Sequence, residues 1–149
     1  MGNYHQDFIV PTRRMFVEAN YSRVRQGLTE IPWVIENVPG SPLLEPVELC
    51  GEMFGLQTYR HRLFETNWGL TAPEHPPHVA KTTKMGRTPV DGEYMHVVGN
   101  FSGVGKGREV MGMPWANRDG LREAIPPAYS EYVGRQLMEH VKSGVSSVG

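Results

Sequence analysis

Cysteine is almost absent from this chain. Its one thiol, Cys50, excludes an internal disulfide and points to a reducing compartment. Long apolar runs are also missing: no stretch reaches the roughly 18 residues that a membrane helix needs. The N-terminus carries no charged-then-apolar leader. The sequence therefore predicts no membrane span, no signal peptide and a cytoplasmic location. Strong charge of either sign is lacking too. Fifteen Lys and Arg stand against 16 Asp and Glu, for a net charge of -1. That argues against a basic nucleic-acid coat but leaves room for a local basic patch. There is no internal repeat, and the Asn-x-Ser sequons at Asn20 and Asn100 are chance occurrences without secretion.

The chain has 149 residues, 39% apolar and 21% charged, which suits one soluble domain able to bury its own core. Its 17 glycines and 12 prolines cut it into short pieces. A helix is predicted from Pro11 or Thr12 to Gly27, with Met15, Phe16 and Ala19 at near-helical spacing and Arg13, Arg14, Arg23 and Arg25 on a solvated basic face. Residues 32–35 read as a short buried strand, and Pro39-Gly40 turns the chain away after it. Residues 47–50 form a short apolar piece, 51–56 a turn or single helical turn, and 62–66 a strand. Between 67 and 107 prolines and glycines leave little regular structure beyond a hairpin around 94–98. Order returns in a short helix at 108–113, a turn at 118–123 and a closing helix from 128 to about 141, with 142–149 as a polar tail.

Several motifs invite chemistry. Gly103-Val104-Gly105-Lys106-Gly107 fails as a phosphate loop, because Asn100 and Gly107 stand where a glycine and a hydroxyl are required. His75-Pro76-Pro77-His78 offers two imidazoles, but no CxxC partner exists, so no metal centre is expected. Cys50 has no activating base beside it in sequence and reads as a core residue. Glu36 and Asn37 are placed where the first strand ends, the usual ligand position in open α/β sheets. Taken alone, such a carboxylate is equally a loop cap. Arg60 and Arg62, at alternate positions of an extended chain, would point to one side and suit planar recognition of a base edge or phosphate.

In this order the pieces resemble the DNA cytosine-5 methyltransferase family, over most of the chain outside 67–107. Glu36-Asn37-Val38 is similar to that family's Glu-Asn-Val motif. Phe54-Gly55-Leu56-Gln57 with Arg60-His61-Arg62 resembles its glutamine and paired-arginine motif. Arg108-Glu109 with Met111-Gly112-Met113-Pro114 resembles its Arg-Glu motif, and Ala124 to Tyr129 with Gly134 and Gln136-Leu137 its closing helix. The short segments look like compact phage-type members, as in restriction–modification chemistry.

The resemblance implies a partial doubly wound, Rossmann-like α/β domain lacking its N-terminal strands. Residues 1–66 would be the C-terminal half of the catalytic domain, 67–107 a small irregular target-recognition insert, and 108–149 the return to the catalytic domain. It implies catalytic roles for Glu36, Asn37, Arg60 and Arg62, with Glu36 protonating or hydrogen-bonding N3 of a flipped cytosine. It places S-adenosyl-L-methionine near Ala124 and Ile125, and double-stranded DNA phosphates on Lys81, Lys84, Arg87 and Lys106. The sequence also departs from the family. It has neither the glycine-rich cofactor loop nor the Pro-Cys nucleophile. Cys50 follows Leu49 and comes after Glu36, and Thr58 stands where glutamine is expected. In the closing motif Arg122-Glu123 replaces Gly-Asn. His5, Asp7 and Ile9, then Thr12-Arg13, resemble the segment that follows the nucleophile. The expectation is the C-terminal portion of such an enzyme, inactive alone and completed by an N-terminal chain. The alternatives are a non-catalytic DNA-binding or regulatory remnant, and a fragment of an RNA cytosine methyltransferase.

Overall fold

A computed structural model describes residues 8–84 and 86–146; the likeness drawn from His5 and Asp7 lies outside them. The elements run α1 (Ile9–Arg25), β1 (Val34–Asn37), β2 (Val47–Leu49), a 3-10 turn (Gly51–Phe54), β3 (Arg62–Thr66), α2 (Val104–Met111), α3 (Arg118–Glu123) and α4 (Pro127–Ser146). The three strands form one sheet in the order β1-β3-β2, with β3 antiparallel to both neighbours. β1 and β2 are therefore parallel to each other with β3 between them. Among the described residues the sheet is small and every pairing in it is antiparallel. β1 is an edge strand, and no described strand pairs with its outer side.

Alternation along β3 sorts the layers, because successive side chains face opposite sides. Phe64 packs with Tyr129 and Val133 of α4, together with Leu49, Trp68 and Leu70. Glu65 points the other way and receives Arg13 of α1. Helices thus cover both faces of the sheet. A second apolar cluster joins Met95, Val97 and Phe101 to Val110, Met111, Ala116 and Leu121 of the α2–α3 region. The two clusters cut across the three segments expected from sequence. The proline-rich stretch lacks regular structure up to Ser102, yet its apolar residues supply half a core.

Several boundaries move for local reasons. α1 begins at Ile9, so Pro11 lies inside its first turn, where a missing N–H costs nothing. Gly27, at φ +74°, ends it. Of the expected apolar stripe only Phe16 is partly buried, stacked on Trp33, while Met15 is exposed. The buried anchors are Ile9 and Asn20, whose amide exchanges two 2.9 Å hydrogen bonds with the Ile31 backbone. β1 starts later than expected and runs on through Glu36 and Asn37, because Phe64 and Leu63 of β3 are their register partners. The hairpin around 94–98 is absent. Tyr94 instead makes a lone parallel bridge with Thr82. α2 starts at Val104, inside the expected insert, and α4 continues to Ser146, so most of the expected tail is helical; 147–149 lie outside the described residues.

Arg13 corrects the reading of α1 as a purely solvated basic helix. Its guanidinium grips both oxygens of the buried Glu65 carboxylate and also donates to the Pro42 carbonyl at 2.8 Å. The Leu44 N–H completes the site at 2.8 Å. The Arg13 hydrogen bond holds the Glu65 carboxyl below its ordinary value of 4.5, against burial. Such a group contributes stability above the unfolded value and loses it as pH falls through the folded one. Removing one partner of a buried pair costs about 3–5 kcal/mol. We therefore expect Glu65→Gln to lower the free energy of unfolding by about 3 kcal/mol at pH 7 in urea denaturation. The gap between wild type and variant should close as pH falls below 4.5. A pH-independent gap would remove the ion pair as its cause.

Candidate functional site

The site is built on the C-terminal end of β1 and the start of β3. Glu36 and Arg62 are diagonal neighbours on the α4-facing side of the sheet, and Arg62 Nε lies 3.2 Å from Glu36 Oε1. The Glu36 side chain is 34% exposed and that of Arg62 14%. Burial pushes the Glu36 carboxyl above its ordinary range; Arg62 and then Arg60 pull it back only in part. Asn37 does not face this pair as a ligand: its Oδ1 accepts the Val38 N–H at 2.8 Å and shapes the strand exit. A cavity of about 310 Å³ opens beside Arg62, lined also by Thr58, Tyr59, Arg60, His61 and Val97. That volume sits at the lower end of small-molecule sites.

Arg60 does not share a side with Arg62. Its backbone has φ +33°, a left-handed value that a non-glycine residue adopts only when its surroundings impose it. This breaks the extended path on which the sequence expectation rested. The guanidinium turns inward and donates to three main-chain carbonyls: Val97 at 2.7 Å, Arg122 at 2.7 Å, and Ala124 at 2.8 and 2.5 Å. Burial, then Arg62, pull its pKa down to about 10, so it stays charged at neutral pH. The hydroxyl of the fully buried Tyr129 donates to the Arg60 carbonyl at 3.0 Å. Arg60 is thus a positioning residue that gathers the insert and the start of the closing helix around the cavity.

The remaining expected residues are dispersed. The Ala124 carbonyl serves Arg60 and its N–H donates to the Gly120 carbonyl at 2.9 Å, while the Ile125 side chain packs against the sheet-side core. Arg87 is held by Glu93 through 2.7 and 2.6 Å hydrogen bonds, and Lys106, on α2, by Glu109 at 2.5 Å. Lys81 and Lys84 are exposed and form no ion pair with a described residue. Of the two, Lys81 adds to the larger effect of Arg87 in lowering the pKa of the Glu93 carboxyl.

A group that sequence spacing missed lies next to the cavity. Cys50, His61, His75 and His78 bring one ligand atom each to within 4.8 Å of one another. The two partners that His75 and His78 seemed to lack come from the far ends of the β2–β3 connection, 25 and 14 residues before His75. No local CxxC signature could reveal them. Gly51 makes the meeting possible: its N–H donates to the Tyr59 carbonyl at 2.7 Å, and a Cβ there would overlap the Thr58 carbonyl. Cys50 is fully buried, as expected of a core residue, but its sulfur faces His78 rather than an apolar neighbour. Burial lowers the pKa of His61, which favours the neutral imidazole.

Comparison with models of known families, with curated proteins and with solved structures finds no match to this chain. Among the described residues no helix is long and apolar enough to cross a membrane.

The clamp role of Arg60 makes a distinctive prediction. Arg60→Lys should fail to rescue, because an ammonium cannot span three carbonyls as a planar fork does. Loss of charge-assisted hydrogen bonds to part-buried carbonyls costs about 3 kcal/mol. Both Arg60→Lys and Arg60→Ala should show that destabilisation, with amide-exchange protection lost first at 95–98 and 121–125 while α1 is spared. Wild-type protection in Arg60→Lys would refute the clamp.

Proposed function

We propose that this chain is the C-terminal portion of a DNA cytosine-5 methyltransferase and builds one wall of the pocket that receives a flipped cytosine. The observation that carries the reading is the Glu36–Arg62 pair at a strand end: a half-buried carboxyl, raised in pKa and braced at 3.2 Å by an arginine that is itself little exposed and lines a small cavity. A carboxyl tuned toward its protonated form can donate to a ring nitrogen such as cytosine N3. Arg62 fixes its orientation and offers remaining donors to a neighbouring carbonyl, where negative charge builds in the reaction. Arg60 shapes the pocket through Val97 and Ala124 without touching the base.

The doubly wound sheet of the family belongs to this proposal as well. β1 and β2 run parallel with β3 reversed between them, helices lie on both faces, and the outer side of β1 awaits a neighbour. Val10, Val17, Tyr21 and Val24 of α1 are exposed, which suits a helix that packs against further structure. We assign the nucleophilic cysteine and the methyl donor S-adenosyl-L-methionine to a complementary chain, because this sequence carries neither Pro-Cys nor a glycine-rich cofactor loop, and the Ala124 carbonyl is taken up by Arg60. Duplex DNA would meet Lys81 and Lys84.

The test is complementation. This chain and a polypeptide carrying a glycine-rich loop and Pro-Cys, taken from the adjacent reading frame, are assayed separately and mixed for transfer of labelled methyl groups to duplex DNA and to RNA. Transfer to DNA only in the mixture, reduced about 10²–10⁴-fold by Glu36→Gln at a temperature where the variant is still folded, is the expected result. Transfer by this chain alone, or a Glu36→Gln mixture as fast as wild type, would overturn the assignment. Duplex binding by Lys81 and Lys84 without any transfer would favour a non-catalytic DNA-binding remnant, and transfer confined to RNA the RNA-modifying branch.

A further inference from the structure

We infer that Cys50, His61, His75 and His78 bind one zinc ion, as a closed four-ligand centre that fastens the 71–78 loop to the β2–β3 connection. The proposal is independent of the methyltransferase reading.

Tetrahedral zinc has Zn–S near 2.3 Å and Zn–N near 2.0–2.1 Å, which sets ligand–ligand edges of about 3.3–3.4 Å for two nitrogens and about 3.6 Å for sulfur and nitrogen. His61 Nε2 and His75 Nε2 lie 3.3 Å apart, and Cys50 Sγ and His78 Nε2 3.4 Å apart. All four ligand atoms fall within 4.8 Å. Two edges of the tetrahedron are therefore already near ligand distance, and the other four lie within 4.8 Å, at most roughly 1.5 Å beyond it.

Hydrogen bonding also favours a cation. His75 Nδ1 lies 2.7 Å from the Pro76 carbonyl. A carbonyl only accepts, so Nδ1 carries the proton and Nε2 of neutral His75 presents its lone pair to the cluster. This is the arrangement that outer partners impose on metal-bound histidines. The rings are held from outside as well. His78 stacks on Tyr59 at 3.7 Å between centroids, and the Tyr59 hydroxyl donates to the Ala80 carbonyl at 2.7 Å. His61 and His75 lie parallel within 5°.

The loop gives the centre a purpose. Residues 69–79 have no helix or strand, and His75, Pro77, His78 and Val79 are exposed. Leu70 is buried and Thr71 is held by Tyr132 and Gln136 of α4, but beyond them little apolar burial holds the stretch that carries two of the four ligands. One thiolate and three imidazoles, with no carboxylate among them, suit zinc rather than a hard cation. On binding, Zn²⁺ takes the place of the Cys50 thiol proton, which is released to solvent. Because His61 separates Arg60 from Arg62, the ion would also fix the backbone that aims both arginines.

The test uses the purified 149-residue chain loaded with Zn²⁺ or Co²⁺ and dialysed against metal-free buffer. We expect one equivalent of zinc by elemental analysis. The cobalt form should show intense tetrahedral visible bands and a thiolate-to-cobalt charge-transfer band. His75→Ala and His78→Ala alter exposed loop residues, so their circular dichroism should match that of wild type while zinc affinity falls roughly 100-fold or more. Chelation should lower the melting temperature of wild type and leave that of His75→Ala unchanged. Cys50→Ser should abolish the charge-transfer band; if that buried substitution prevents folding, the band in the wild-type cobalt form still identifies the thiolate. A wild-type chain that retains no metal, an octahedral cobalt spectrum, or undiminished affinity in both histidine variants would overturn the proposal.

Discussion

The guanidinium of Arg60 is the constraint on which the rest of the structure depends. Its donors reach the backbone of the insert at Val97 and the approach to α4 at Arg122 and Ala124, and its own carbonyl is held by Tyr129. The sheet-side core and the α2–α3 core have no strand in common. Arg60 sits between them and supplies charge-assisted hydrogen bonds to carbonyls that irregular backbone would otherwise leave unmatched. Its left-handed φ is the conformational cost of that position, and Tyr129 helps to hold it there.

That one dihedral separates three neighbours. In an extended strand Arg60 and Arg62 would share a face and His61 would oppose them. With Arg60 turned inward, only Arg62 remains on the β3 face beside Glu36, and His61 projects toward Cys50 and the 71–78 loop. Three consecutive side chains thus serve the core junction, the imidazole cluster and the carboxylate pair. Arg13 plays on the opposite face the part that Arg60 plays here, tying α1 and the 42–44 loop to the sheet through Glu65. Of the two arginines that brace the fold, Arg13 lies in a stretch whose composition suggests a solvated basic face, and Arg60 in one that suggests recognition of a base edge or phosphate.

What was legible in the sequence was local. The strand at 62–66, the turn after Cys50 and the closing helix follow from apolar spacing and from proline and glycine punctuation, and they stand in the structure; the short apolar piece at 47–50 becomes β2. The placement of Glu36 near a strand end was legible for the same reason, although the strand runs two residues further because β3 offers it partners. Long-range pairing was not legible. Nothing in the spacing links Arg13 to Glu65, or Arg60 to a carbonyl more than 60 residues away. The insert illustrates the limit well. Periodicity fails across it, yet Met95, Val97 and Phe101 are buried, because packing requires apolar volume and not regular backbone.

Metal-ligand reasoning by spacing rests on ligands that arrive in close pairs, since a tight turn is the cheapest way to aim two side chains at one point. His75-Pro76-Pro77-His78 is one such pair. Its complement here is a pair separated by ten residues, Cys50 and His61, brought together by the turn at Gly51 and the return of the chain beside Thr58 and Tyr59. A β-connection therefore does the work that a CxxC turn does elsewhere. The same connection delivers Arg62 to Glu36, so the geometry of the imidazole cluster and that of the carboxylate pair are set by one piece of backbone. Any change that reshapes residues 50–61 acts on both.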